Sequence, residues 1–159
     1  PQWGTIMKNW GGSHSRGQFH FGLNTNGQLD IEIKPEDISL FNKEDSQNIT
    51  RTGDSLHLFS SGKFPLNSWQ HVAFTYDEGL LCLYQNGQLL VSHKVPPMSQ
   101  NVKMKSLSIG SKLSDDGGKV ASSPGHWDGK LDEIALFNRA MSAAEIMYIY
   151  KHVYAEFMK

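Results

Sequence analysis

The feature that most constrains this chain is strict alternation joined by very short turns. In QLDIEIK, Leu29, Ile31 and Ile33 fall on one side and Asp30, Glu32 and Lys34 on the other. Successive side chains of a strand point to opposite faces, so this is a strand with one face on a core. Just before it, FHFGLN groups Phe19, Phe21 and Leu23. Asn26-Gly27 lies between them and predicts a two-residue hairpin, because both residue types accept φ > 0. Asn86-Gly87 repeats the device between LLCLYQ and QLLVSHKV, and Asp77-Glu78-Gly79 predicts a hairpin joining SWQHVAFTY to LLCLY. TIMKN, SLHLFS and KSLSIGS are further strand candidates. Short strands closed by tight turns predict an all-β antiparallel sandwich or barrel. The two NGQL units are one turn chemistry used twice, not an internal repeat.

Helical signals gather only at the end. Ser142-Ala143-Ala144-Glu145 has the form of a capping box, with Met141 and Ile146 placed as a hydrophobic staple. Ile146, Ile149, Tyr150 and Val153 follow at helical spacing and give a stripe that can dock on a sheet. Before the box, HWDGKLDEIALFN alternates, and Lys130 to Asn138 is predicted to be a closing strand. Asp132, Ile134 and Leu136 share the face assigned to the core.

Composition narrows the function. With 159 residues the chain is read as one domain able to bury a core. Its 15 basic and 16 acidic residues leave no electrostatic footprint for nucleic acid or an anionic membrane. Its apolar runs are too short to span a bilayer. The single Cys82 cannot form an internal disulfide. Two stretches, 35–54 and 111–129, are read as long loops, and loops of that length are often functional.

SWQHVAFTYDEGLLCLYQNGQLL resembles the central hairpins of laminin G-like domains in the concanavalin A-like lectin/glucanase superfamily. GKLDEIALFNRAMSAAEI resembles that family's closing strand and short helix. TIMKNWG followed by FHFGLNTNGQLDI resembles its early strand and first hairpin. The resemblance implies a jelly roll of two packed antiparallel sheets, one concave, with one short C-terminal helix. It implies a place outside the cell or on its surface, and a carbohydrate or protein ligand. It also implies that residues 1–159 form a single domain lacking the family's opening strand or strands, which lie beside the closing strand. Trp69 matches the family's structural tryptophan and is assigned to the core. Gln85 stands where the family has an apolar residue.

Candidate site residues follow from this frame. An apolar sugar face stacks on an aromatic ring. The resemblance therefore makes Trp10 and His14 in NWGGSHSRG, His126 and Trp127 in the second long loop, and Tyr84 toward the concave groove the candidate ligand contacts. For Trp10 and Trp127, packing beneath the loop is an equal alternative. Related domains hold a structural calcium near the closing strand, which makes Asp132 a candidate ligand. The alternative is that Asp132 accepts backbone amides at the neighbouring turn. Asp115-Asp116 has the form of an ordinary exposed turn.

Catalysis is not expected. The superfamily's glycosidases carry a Glu-x-Asp-x-Glu strand, and that motif is absent here. Glu36-Asp37 and Asp132-Glu133 are adjacent, so on a strand they point to opposite faces. No strand is expected to place two carboxylates on one face at the spacing that hydrolysis requires. The expected function is a non-catalytic module binding a glycan or surface polysaccharide. A protein-interaction or adhesion module and a glycoside hydrolase-related domain are the alternatives.

Overall fold

The computed structural model describes residues 3–10, 18–42, 47–98, 106–113 and 125–154. Nine strands are present among them: β1 (Gly4–Trp10), β2 (Phe19–Leu23), β3 (Gln28–Ile33), β4 (Ile49–Thr52), β5 (Ser55–Lys63), β6 (Val72–Asp77), β7 (Leu80–Gln85), β8 (Gln88–Lys94) and β9 (Ser106–Ile109). They form a six-stranded sheet, ordered β4-β5-β3-β2-β1-β9, and a three-stranded sheet, β6-β7-β8. Every strand pair is antiparallel. This is the antiparallel sandwich that the alternation predicts.

The core lies between the sheets. Leu29, Ile31, Ile33, Leu56 and Leu58 of the larger sheet meet Leu81 and Leu83 of the smaller one, all essentially without solvent exposure. Phe74 of β6 packs on Phe19 and Phe21 of β2, with ring centroids 5.3 and 5.1 Å away. Removing these apolar areas from water is the main force that holds the two sheets together.

The turns differ in one detail from their sequence signals. Asn86 (φ 51°) and Gly87 (φ 76°) form the expected two-residue turn between β7 and β8. Gly87 has a second duty, since a Cβ there would meet the Met147 sulfur at 2.9 Å and the Tyr150 ring at 3.0 Å. The β2–β3 connection is instead a three-residue loop, Thr25-Asn26-Gly27. Asn24 O accepts from Gly27 N at 2.9 Å, and Asn24 N donates to Gln28 O at 3.0 Å. The Asn24 side chain explains the choice, because its Oδ1 accepts from both Asn26 N and Gln28 N. The expected loop 35–54 also contains a strand. Ile49–Thr52, with β-branched residues at three of its four positions, pairs with β5.

Helix α1 (Ala143–Ile149) starts as its sequence requires. Ser142 Oγ accepts from Glu145 N at 3.2 Å, and Glu145 Oε2 accepts from Ser142 N at 2.8 Å. Ile146 is buried with Cys82 and Tyr84, and Met141 packs beside them. The helix therefore covers the face of β7 that is turned away from the main core. Wider π-type turns continue it over Tyr150–Tyr154. Ser142→Ala should cost about 1 kcal/mol, the usual loss for an N-cap. Chemical denaturation checks this, and an unchanged midpoint would mean that the cap contributes nothing to folding.

Two expectations are corrected. Residues 130–138 are not a strand: they bond to neither sheet, and Glu133 turns the backbone left-handed at φ 50°. Ile134 and Leu136 are 40% and 59% exposed, so the face assigned to the core is in solvent. Alternation supplies a strand's pattern, but a ladder also needs a partner with free donors and acceptors. Trp69 is 42% exposed rather than in the core. It sits just before β6, an outer strand of the smaller sheet.

Candidate functional site on the outer face of the larger sheet

The polar half of each alternating strand assembles into one patch. β2, β3 and β5 are neighbours in space, so their outward residues line up. Lys8, His20, Glu32, His57 and Thr50 stand side by side in register, one from each of five strands. Asp30 lies two residues before Glu32 on the same face of β3. This face is not simply solvated: Asp30 is 2% exposed, His20 8% and Thr5 0%.

Each carboxylate, Asp30 buried and Glu32 half-buried, has an imidazole partner. Asp30 Oδ1 lies 3.2 Å from His57 Nδ1, and Glu32 Oε2 lies 3.6 Å from His20 Nδ1. An ionised carboxylate only accepts, so His57 donates from Nδ1. The Thr5 hydroxyl lies 2.9 Å from Nε2 of His20. Burial alone would raise the Glu32 pKa. The hydrogen bond to His20, the charge of His57 and the Ser55 hydroxyl overcome it and pull the value from 4.5 to about 2. Burial likewise works against the charged form of His57, but Asp30, by hydrogen bond and charge, and Glu32 by charge raise its pKa above 6.5. Trp3 completes the patch. Its ring centroid is 5.9 Å from that of His20 and 5.8 Å from that of His57, tilted by 35° and 51°.

As the alternation predicts, β3 places two carboxylates, Asp30 and Glu32, on one face. The pair does not supply a general acid. A glycosidase acid needs a raised pKa so that it holds its proton near neutrality. Glu32 is shifted the other way, and the Asp30 carboxylate is enclosed and bound to His57.

The residues singled out in the sequence fall elsewhere. Trp10 ends β1, its backbone paired with Ser106, two positions beyond Lys8. His14 lies outside the described residues, as do Asp115 and Asp116. Tyr84 is buried on the outer face of β7. It is 4% exposed, packed with Cys82 under Ile146, and forms part of the wall of a cleft of about 280 Å³ that Thr75, Asp77 and Met141 also line. The outer face of β7 is covered by α1, which explains the difference. Trp127 is half-buried against the core and meets Phe64 edge-on at 6.1 Å. Its Nε1 is buried without a hydrogen-bond partner among the described residues. His126 Nδ1 lies 3.0 Å from the Ser111 hydroxyl.

Asp132 is exposed, and its Oδ1 accepts from Glu133 N at 2.9 Å. Calcium takes six to eight oxygen ligands. Among the described residues no group of three or more His, Cys, Asp or Glu side chains could hold a metal.

Sequence reasoning missed the Trp3–His20–Asp30–Glu32–His57 patch. Period two already assigns His20, Asp30, Glu32 and His57 to non-core faces, which was a usable signal. What alternation cannot supply is the order β5-β3-β2 that makes them neighbours.

A two-layer antiparallel sandwich closed by a capped helix, with a polar and aromatic patch on its larger sheet, defines a lectin-like class of domain. Residues 1–147 match a laminin G-like family model described as the concanavalin A-like lectin/glucanases superfamily, and the chain belongs to that superfamily. A crystal structure of an S-layer domain-containing protein (residues 221–444) from Clostridium thermocellum ATCC 27405 is similar at 18% identity with a TM-score of 0.48. That alignment covers 92% of this chain, which spans 64% of the other. Among curated proteins no sequence matches.

Proposed function

We propose that this domain is a non-catalytic binding module whose ligand is a glycan, recognised on the outer face of the larger sheet. One observation carries the reading: the row Lys8, His20, Glu32, His57 and Thr50, with Asp30 beside it and the Trp3 ring above it. Carboxylates, imidazoles and hydroxyls bond sugar hydroxyls, and an aromatic face takes the apolar side of a pyranose. Trp10, the last residue of β1, and His14 remain candidate contacts in this proposal. The superfamily supports a place outside the cell or at its surface. Among the described residues no helix is long and apolar enough to cross a membrane.

The test is a glycan array read with calcium and with a chelator, followed by the same array on Glu32→Gln. The expected result is binding to at least one glycan class, unchanged by the chelator and weakened in the variant. A wild-type signal that Glu32→Gln leaves intact would move the site elsewhere.

A second reading, adhesion through protein contact, is favoured by a different observation. Leu136 and Phe137 are 59% and 57% exposed along an extended segment, and Leu107 and Ile109 of the outer strand β9 are 41% and 51% exposed. Apolar surface of this kind favours a protein partner over a sugar. Binding that is lost in Leu136→Asp but kept in Glu32→Gln would favour this reading.

A further inference from the structure

We propose that Trp3 is a pH-controlled latch over the carboxylate patch, closed while His57 is cationic and open once it loses its proton. The proposal rests on the glycan reading for what the latch admits, but not for the latch itself. The Asp30 carboxylate lies 3.2 Å from His57, the Glu32 carboxylate lies 3.6 Å from His20, and the indole centroid stands within 6 Å of both imidazoles. A cation within about 6 Å of a Trp ring is attracted by its quadrupole, by about 1 kcal/mol at accessible sites and more when desolvated. A neutral imidazole keeps the van der Waals contact and loses that attraction.

The surroundings set the sign. Asp30 and Glu32 of β3 face the imidazoles, with Thr5 of β1, Ser55 at the start of β5 and Thr50 of β4 around them. Lys8 is the register neighbour of His20, and the Lys34–Asp54 pair, at 3.3 Å, neutralises itself at one end. The two carboxylates therefore dominate the field at His57, whose pKa is raised. In acid the His57 imidazolium neutralises Asp30 and holds the indole down. Above the His57 pKa the indole loosens and opens the face to sugar hydroxyls.

The experiment follows the Trp3 indole N–H and the histidine ring protons by NMR from pH 4.5 to 8.5. Trp3→Phe assigns the indole signal. The Trp3 shift should track the His57 titration with a midpoint above 6.5, and His57→Gln should abolish that dependence. A Trp3 signal that is flat with pH, or one that moves unchanged in the variant, overturns the latch. Glycan binding at pH 5 and pH 8 is the second arm. Wild type should bind about fivefold more weakly at pH 5, the equivalent of about 1 kcal/mol, and Trp3→Ala, which also lacks the stacking ring, should bind more weakly overall but with no difference between the two pH values. A titrating Trp3 with no glycan bound at any pH would retain the latch and remove the glycan reading.

Discussion

Gly22→Ala should be among the most destabilising single substitutions in this domain, costing about 4 kcal/mol or preventing folding altogether, as only severe overpacking or a large cavity does. Gly22 pairs with Thr5 across β1–β2, next to the irregularity between Thr5 and Met7. A Cβ at position 22 would fall on the backbone carbonyl of Gly4, and the next nearest atom, at 3.2 Å, is the Thr5 Cα. Both contacts are main chain, so no rotamer change relieves them; β1 must move away from β2. That movement breaks the ladder and also displaces Thr5 from His20 and Trp3 from the patch. Thermal and urea denaturation check the prediction. A loss below about 1 kcal/mol, within the ordinary range for substitutions, would show that β1 approaches β2 less closely than described.

The second large effect is a stability optimum in mildly acidic solution. Glu32 has a depressed pKa, so its contribution is present above 4.5 and is lost as pH falls toward about 2. At about 1.4 kcal/mol per pH unit this amounts to about 3 kcal/mol. His57 has a raised pKa, so its contribution is complete below 6.5 and fades as pH rises through the folded-state value. Both act together only between about pH 4.5 and 6.5, and stability should fall on either side. Glu145 is also pulled down to about 2, by Arg139 and Ser142, and adds to the acid limb. Comparison with Glu32→Gln isolates the patch: the variant should lose the acid limb's steepness by about the stated amount. Parallel curves for the two proteins would mean that Glu32 is not held by His20 and His57.

The strands were legible wherever a period of two coincided with a turn signal. QLDIEIK, LLCLYQ and QLLVSHK became β3, β7 and β8, and the Ser142 box became the helix start, because both signals are local. Local signals failed where the outcome depended on a neighbour. GKLDEIALFN carries an alternation as clear as that of β3, yet no strand among the described residues pairs with it, and Ile134 and Leu136 stay exposed. Tyr84 was assigned to the outer face of β7, which holds, but that face is covered by a helix sixty residues away in sequence. The patch was half legible. Asp30 and Glu32 were assigned to the polar face, and that face was read as ordinary solvated surface. Only the sheet order brings two histidines and an indole against those carboxylates and buries Asp30.

The most direct measurement of the central claim is amide and side-chain shift mapping with a glycan selected on the array, at pH 8. The account predicts perturbations concentrated at Lys8, His20, Asp30, Glu32, His57 and the Trp3 indole, with little change at Ile146 or Met141 beneath the helix. Perturbations confined to residues 130–138 or the α1 face, with the patch unmoved, would contradict it.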